Sequence, residues 1–163
     1  MDTEKKVERL PIILTHKVLV AGNGFFAGIT MKGRILAERG VVDEDGSDIW
    51  IYGVNPGGIS GNGATLEDAH NAFQKRLNSV FFDLAGGATS FSAFKRDVAD
   101  FINDTNAEYE KFWQEAVTLV RKGKVKEPGM PSEPAETEVS VEVQNVKVAN
   151  PAYNEQSLTA TAA

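Results

Sequence analysis

The chain of 163 residues contains no cysteine and only two histidines, His16 and His70. Disulfides, thiolate catalysis and cysteine-ligated zinc are thereby excluded, and a histidine-rich metal site is out of reach. A cysteine-free chain is stable in either redox environment, so this criterion leaves the compartment open. Long apolar runs are missing too. No stretch approaches the roughly 20 residues of a membrane-spanning helix, and the opening MDTEKKVERLPIILTHK holds too short an apolar segment for a secretory signal. A soluble cytoplasmic protein with no membrane association is the default expectation. Basic residues are in deficit, 17 against 23 acidic, for a net charge of -6. That balance gives no broad electrostatic footprint for nucleic acid or an anionic membrane.

What is present is ordinary globular composition, 42% hydrophobic and 25% charged, at a length near one domain. Eleven of the 15 glycines lie between Gly22 and Gly63, and four of the six prolines follow Lys126. The chain thus divides into a turn-rich first part, a glycine-poor middle and a proline-punctuated end.

Pro11 to Val20 is a β-rich stretch, Gly22-Asn23-Gly24 is a tight hairpin signal, and Phe25 to Leu36 follows as a second strand. Asp43-Glu44-Asp45-Gly46 marks another turn before the strand Asp48 to Val54, which is apolar on both faces. A three-stranded antiparallel meander results. Asn55 to Ala64 is too rich in glycine for a regular element. Thr65 then caps a helix to Leu84, with Glu67 and Asp68 in its first turn and an apolar stripe through Phe73, Leu77 and Phe81. A second helical region runs from Thr89 or Ser90 to Arg121-Lys122-Gly123. Asn103 to Asn106 are poor helix formers, and Thr105 with Glu108 matches a capping box, so a kink or a break is expected there. Unbroken, this helix would be about 45 Å long, more than one small sheet can cover. Its aromatic residues Phe91, Phe94, Phe101, Tyr109, Phe112 and Trp113 are therefore the candidate partner or oligomer interface, and a homo-oligomer is expected. Glu127 to Pro134 is an extended linker, Glu138 to Val148 alternates as a last strand, and residues 150–163 are a tail without periodicity.

Catalytic motifs are weak. The loop Gly58 to Thr65 enters a helix, where N–H groups attract phosphate, but it lacks the lysine of a P-loop. Asp43, Glu44, Asp45 and Asp48, with Glu67 and Asp68, suggest a two-metal nuclease as an alternative. Their clustering in a turn has the simpler explanation of solvated loop residues. His70 falls within the apolar stripe and reads as a core or core-edge histidine, while His16 has no recognisable partner. No cofactor, metal or catalytic residue is assigned.

The strand Asp48-Ile49-Trp50-Ile51-Tyr52-Gly53-Val54, the turn Asn55-Pro56-Gly57-Gly58-Ile59 and the helix start Gly63-Ala64-Thr65-Leu66-Glu67-Asp68-Ala69 together resemble the HicB antitoxin family. Glu127-Pro128 through Glu133-Pro134, followed by Val139-Ser140-Val141-Glu142-Val143, is similar to that family's proline linker and last strand. The resemblance implies an α+β fold of partial ribonuclease-H-like type, non-catalytic, whose role is to bind and neutralise a small basic RNA-cleaving toxin of the HicA type. The expected architecture is a single domain over 7–149, with an antiparallel sheet of about four strands, a packed helix, a helical insertion at 86–123 and a flexible tail at 150–163. Only 15 residues follow Val148, too few for a DNA-binding module, which argues against direct nucleic-acid binding. An orphan oligomeric interaction protein is the further alternative.

Overall fold

A computed structural model describes residues 7–40, 49–124 and 130–149. Among these described residues the fold is α+β, with five strands in one antiparallel sheet and three helices. In chain order the elements are β1 (Val7–Ala21), β2 (Phe26–Gly40), β3 (Ile49–Asn55), β4 (Ser60–Gly63), α1 (Leu66–Gly87), α2 (Phe91–Asn103), α3 (Ala107–Arg121) and β5 (Ser140–Asn145). The acidic turn at 41–48 and the tail at 150–163 lie outside the described residues.

β1 and β2 form a long hairpin in which Val7 pairs with Gly40 and Ala21 with Phe26. Its turn closes through the Gly22 N–H donating to the Phe25 carbonyl at 2.9 Å, and Gly24 takes φ +81°, which a side chain would resist. The other edge of β2 is shared end to end. β5 pairs with residues Ala27 to Lys32, and β3 pairs with Arg34 to Glu38. Between these two partners the register shifts at Arg34/Ile35. β4 pairs with β3 and was not expected, because its sequence Ser-Gly-Asn-Gly carries no strand propensity. Close packing accounts for it: a Cβ on Gly61 would stand 2.4 Å from the Phe73 nitrogen, so only glycine lets this strand pass over α1.

Both faces of the sheet are used. On the first, α1 and α2 pack on Leu14, Ile29, Met31, Ile35 and Ile51, with Phe73, Leu77, Phe81, Phe94 and Ile102 fully buried between the layers. Thr65 caps α1 by accepting from the Asp68 N–H, and Ser90 caps α2 by accepting from Ala93. On the second face α3 places Trp113, Ala116 and Val117 over Leu36 and Val54.

The helical region therefore breaks rather than kinks. α2 ends at Asn103, and α3 begins after Asn106, which accepts from the Tyr109 N–H at 3.1 Å. Asn106, not Thr105, is the cap. The two helices cover opposite faces, which resolves the excess of length that a single straight helix would have. The last strand is shorter than its alternation suggested: Val143 is buried and Val141 packs on the core, while Val146 and Val148 lie beyond Asn145 and are exposed.

Candidate interaction surface

The joint between α2 and α3 is fixed by a polar cluster at the end of β3. The β2–β3 register sets Arg34 across from Asn55, and the Arg34 Nε and Nη2 groups both donate to Asn55 Oδ1, the Nε bond at 3.0 Å. Asn55, itself buried, donates through Nδ2 to the Thr105 hydroxyl. Main-chain bonds run alongside, from Asn106 N–H to the Val54 carbonyl and from Gly57 N–H to the Asp104 carbonyl. Arg34 Nη1 pairs at 2.6 Å with Glu110 Oε2, a buried oxygen, and the guanidinium lies 5.4 Å from the Trp113 ring centre. A buried charge of this kind needs a partner, and each member here supplies one for another.

With α3 so placed, its outward-leaning aromatics meet those of β3. Trp50 stacks on Tyr52 at 5.9 Å and 12°, Tyr52 on Tyr109 at 4.9 Å and 16°, and Tyr109 tilts onto Phe112 at 5.9 Å. The Arg9 guanidinium sits 4.0 Å over Phe112 and pairs with Glu38 at 2.8 Å. One aromatic ladder thus joins β3 to α3. Trp50 ends it at 40% exposure. Burial raises the Tyr52 phenol above its ordinary range, with Glu38 and Tyr109 adding to the effect and Arg9 opposing it. Tyr109 is raised in the same way, by burial, then Glu38 and Glu108. Both hydroxyls are therefore neutral at physiological pH and offer a donor as well as an acceptor.

The six aromatic residues taken from the sequence are not gathered on one surface. Phe94 is buried in the first core, with Phe91 and Phe101 packed against it; Trp113 is buried in the second, with Tyr109 and Phe112 beside it. Of the six, Tyr109 and Phe112 belong to the ladder. Trp50, Tyr52 and Arg9 belong to it without having been singled out as functional. Their signal was the alternation in β3, where Ile49 and Ile51 pack on the first core while Trp50 and Tyr52 point the other way.

Among the described residues no three histidine, aspartate or glutamate side chains gather as a metal site. Asp43, Glu44, Asp45 and Asp48 lie outside those residues. Glu67 and Asp68 are exposed in the first turn of α1, where the helix dipole favours them. His16 has a partner after all: its Nε2 is 2.7 Å from Asn78 Oδ1, and its ring stacks on Phe81. His70 is half-buried at the same seam, and burial, with His16 second, lowers its pKa. No helix among the described residues is long and apolar enough to cross a membrane. Comparisons of the chain with family models, with curated proteins and with solved structures find no match in any of the three.

Proposed function

We propose that the chain is a non-catalytic interaction domain of the HicB-like antitoxin type. On this reading the sheet is a partial ribonuclease-H-like scaffold, and it binds a small basic RNA-cleaving toxin of the HicA type through the Trp50 end of the ladder. The observation that supports it is the ladder itself. Tryptophan, tyrosine and arginine dominate binding energy at protein interfaces, because they bury large rigid surfaces and still offer polar contacts. A half-exposed tryptophan held from behind by a parallel stack is pre-organised for that role. The residues immediately before it carry Asp43, Glu44, Asp45 and Asp48. Acidic charge so near in sequence to an aromatic anchor suits a basic partner, whose arginines can lie over the ring and whose approach an acidic field speeds.

The test is co-expression and affinity capture with the small basic protein encoded beside this one. We expect rescue of growth by the intact chain, and a loss of affinity of about tenfold or more with Trp50→Ala, whose fold stays unchanged by circular dichroism. The association rate should fall steeply with salt. Absence of both capture and rescue overturns the reading.

A further inference from the structure

β1 is the end strand of the sheet, and among the described residues no strand lies along its outer edge. The hairpin decides which main-chain groups point there. The Gly22 N–H donates to the Phe25 carbonyl, and from that turn the β1–β2 register runs unbroken to Val7 and Gly40. Alternate residues of an antiparallel ladder bond inward, so the even-numbered residues of β1 are bound to β2 and the odd-numbered ones turn N–H and C=O outward. The bond from the Val146 N–H to the Phe26 carbonyl gives the same parity from the other side of β2. Pro11 falls in the outward set, where its missing N–H costs the sheet no bond.

Two features flank His16 along this edge. Three residues before it, Ile13 stands in a groove of about 670 Å³, lined by residues 10–13 of β1, by Trp113, Val117 and Val120 of α3, and by residues 130–136. Residues 10–13 line it in succession although their side chains alternate between the faces, so the groove follows the edge itself. Glu133 and Glu136 in its lining are taken up by Lys32 and Arg121, and apart from Ser132 the rest is apolar. Three residues after His16, Leu19 projects on the same face as Ile13 and is 58% exposed.

We propose that the edge of β1 pairs antiparallel with the same edge of a second copy, about a two-fold axis that passes beside His16 at right angles to the sheet. Pairing sets Ile13 opposite the partner's Leu19 and Thr15 opposite the partner's Lys17, and every contact is made twice. Each Leu19 enters the other copy's groove beside Ile13, near Val117 and Val120. About ten main-chain hydrogen bonds close the seam. A two-fold contact must be self-complementary, and a knob and a hole at equal distances from the axis on one strand meet that requirement.

Lys17 fixes the register. With the axis at Thr15 it would stand opposite Ile13, and with the axis at Leu14 opposite Pro11, in both cases carrying a charge into the apolar groove. With the axis at Lys17 the two ammonium groups would oppose each other. With the axis at Val18, Leu19 would miss the groove. The helices leave the seam clear. α3 crosses β1 before His16, where Phe112 lies under Arg9 and Trp113 and Val117 pack with Ile13. α1 passes His16 at Asn78 and leaves towards the hairpin turn, where Asn23 donates to the Gly86 and Ala88 carbonyls. Rotation thus carries α3 to the far end of the seam from its counterpart and sends the two α1 helices in opposite directions. One strand and its groove are at the low end of interface size, and a dissociation constant of about 10 μM is expected. This proposal stands independently of the antitoxin reading.

Sedimentation equilibrium of the full chain tests it, from about 1 to about 300 μM, a range that brackets the expected dissociation constant. A monomer–dimer equilibrium is expected for the native chain. Amide exchange followed by NMR over the same range separates this edge from any other contact. The Thr15, Lys17 and Leu19 amides slow markedly as the dimer fills, while those of Leu14, His16 and Val18, already bonded to β2, change far less. Leu19→Glu weakens the dimer by about a hundredfold or more, because an unpaired carboxylate would enter the groove. Thr15→Pro weakens it by about tenfold or more and leaves the single chain folded by circular dichroism, since its outward amide has no partner there. Leu19→Glu carries the test should the proline variant not fold. A monomer throughout, a dimer untouched by Leu19→Glu, or odd-numbered amides that exchange as fast in the dimer as in the monomer overturns the proposal.

Discussion

The two faces of the sheet are held by different means. On the first, α1 and α2 cover the strands with a continuous apolar layer, in which Phe73, Leu77, Phe81 and Phe94 are wholly buried. On the second, α3 rests on a cluster of five buried residues, Leu36, Val54, Trp113, Ala116 and Val117, and is tied down by the Arg34–Asn55–Thr105 and Arg34–Glu110 contacts. Apolar burial is additive and indifferent to direction, whereas a buried polar cluster fails as soon as one member is lost. The first face therefore sets whether the chain folds. The second sets where α3 sits, and with it the aromatic ladder.

Three changes would break or sharpen that contrast. The largest effect belongs to the first face: Phe81→Ala should cost about 3–5 kcal/mol by chemical denaturation, with the transition remaining a single step. Next is Arg34→Met, which keeps an unbranched side chain there and removes the guanidinium with its ion pair and its contact to Trp113. About 1–3 kcal/mol is expected, because buried Asn55 loses its charged donor while Glu110, 36% exposed along its side chain, can turn to water. The loss should be local: amide exchange in α3 accelerates while α1 stays protected. Uniform loss of protection would show that the faces are a single cooperative unit. The smallest effect is at the α1–β1 seam. Burial and His16 lower the His70 pKa below 6.5, so folding favours the neutral ring. That stabilisation is complete above the unfolded value and is lost as pH falls from 6.5 through the depressed folded value. Urea midpoints measured across this range should decline towards acid, and His70→Gln should flatten the slope.

Much of the first face was legible in the sequence. Strand alternation, the Asn-Gly turn, the Thr65 and Ser90 caps and the stripe through Phe73, Leu77 and Phe81 are local signals, and local geometry obeys them. The second face was not. Phe91 to Val120 reads as one apolar series, because periodicity records that a residue is buried and carries no sign of which surface buries it. The crossing depends on Asn55 reaching Thr105, a contact between residues distant in the chain that no window of sequence contains. β4 was missed for the opposite reason: its glycines signal a loop, and the close passage over Phe73 that requires them is tertiary. The ladder was half visible, through Tyr109 and Phe112, and its other half waited on the pairing that brings Tyr52 beneath α3.

The shared edge of β2 bears on the order in which the molecule assembles during synthesis. Its hairpin with β1 closes across a two-residue turn, and β3 arrives soon after, yet the stretch from Ala27 to Lys32 receives its partner β5 only about a hundred residues later. Until then a growing chain with α1, α2 and α3 already made carries a row of unsatisfied N–H and C=O groups beside Leu19 and Phe26. An open edge next to exposed apolar side chains is the geometry that recruits strangers. The last strand thus closes a liability that every nascent copy carries until β5 is made.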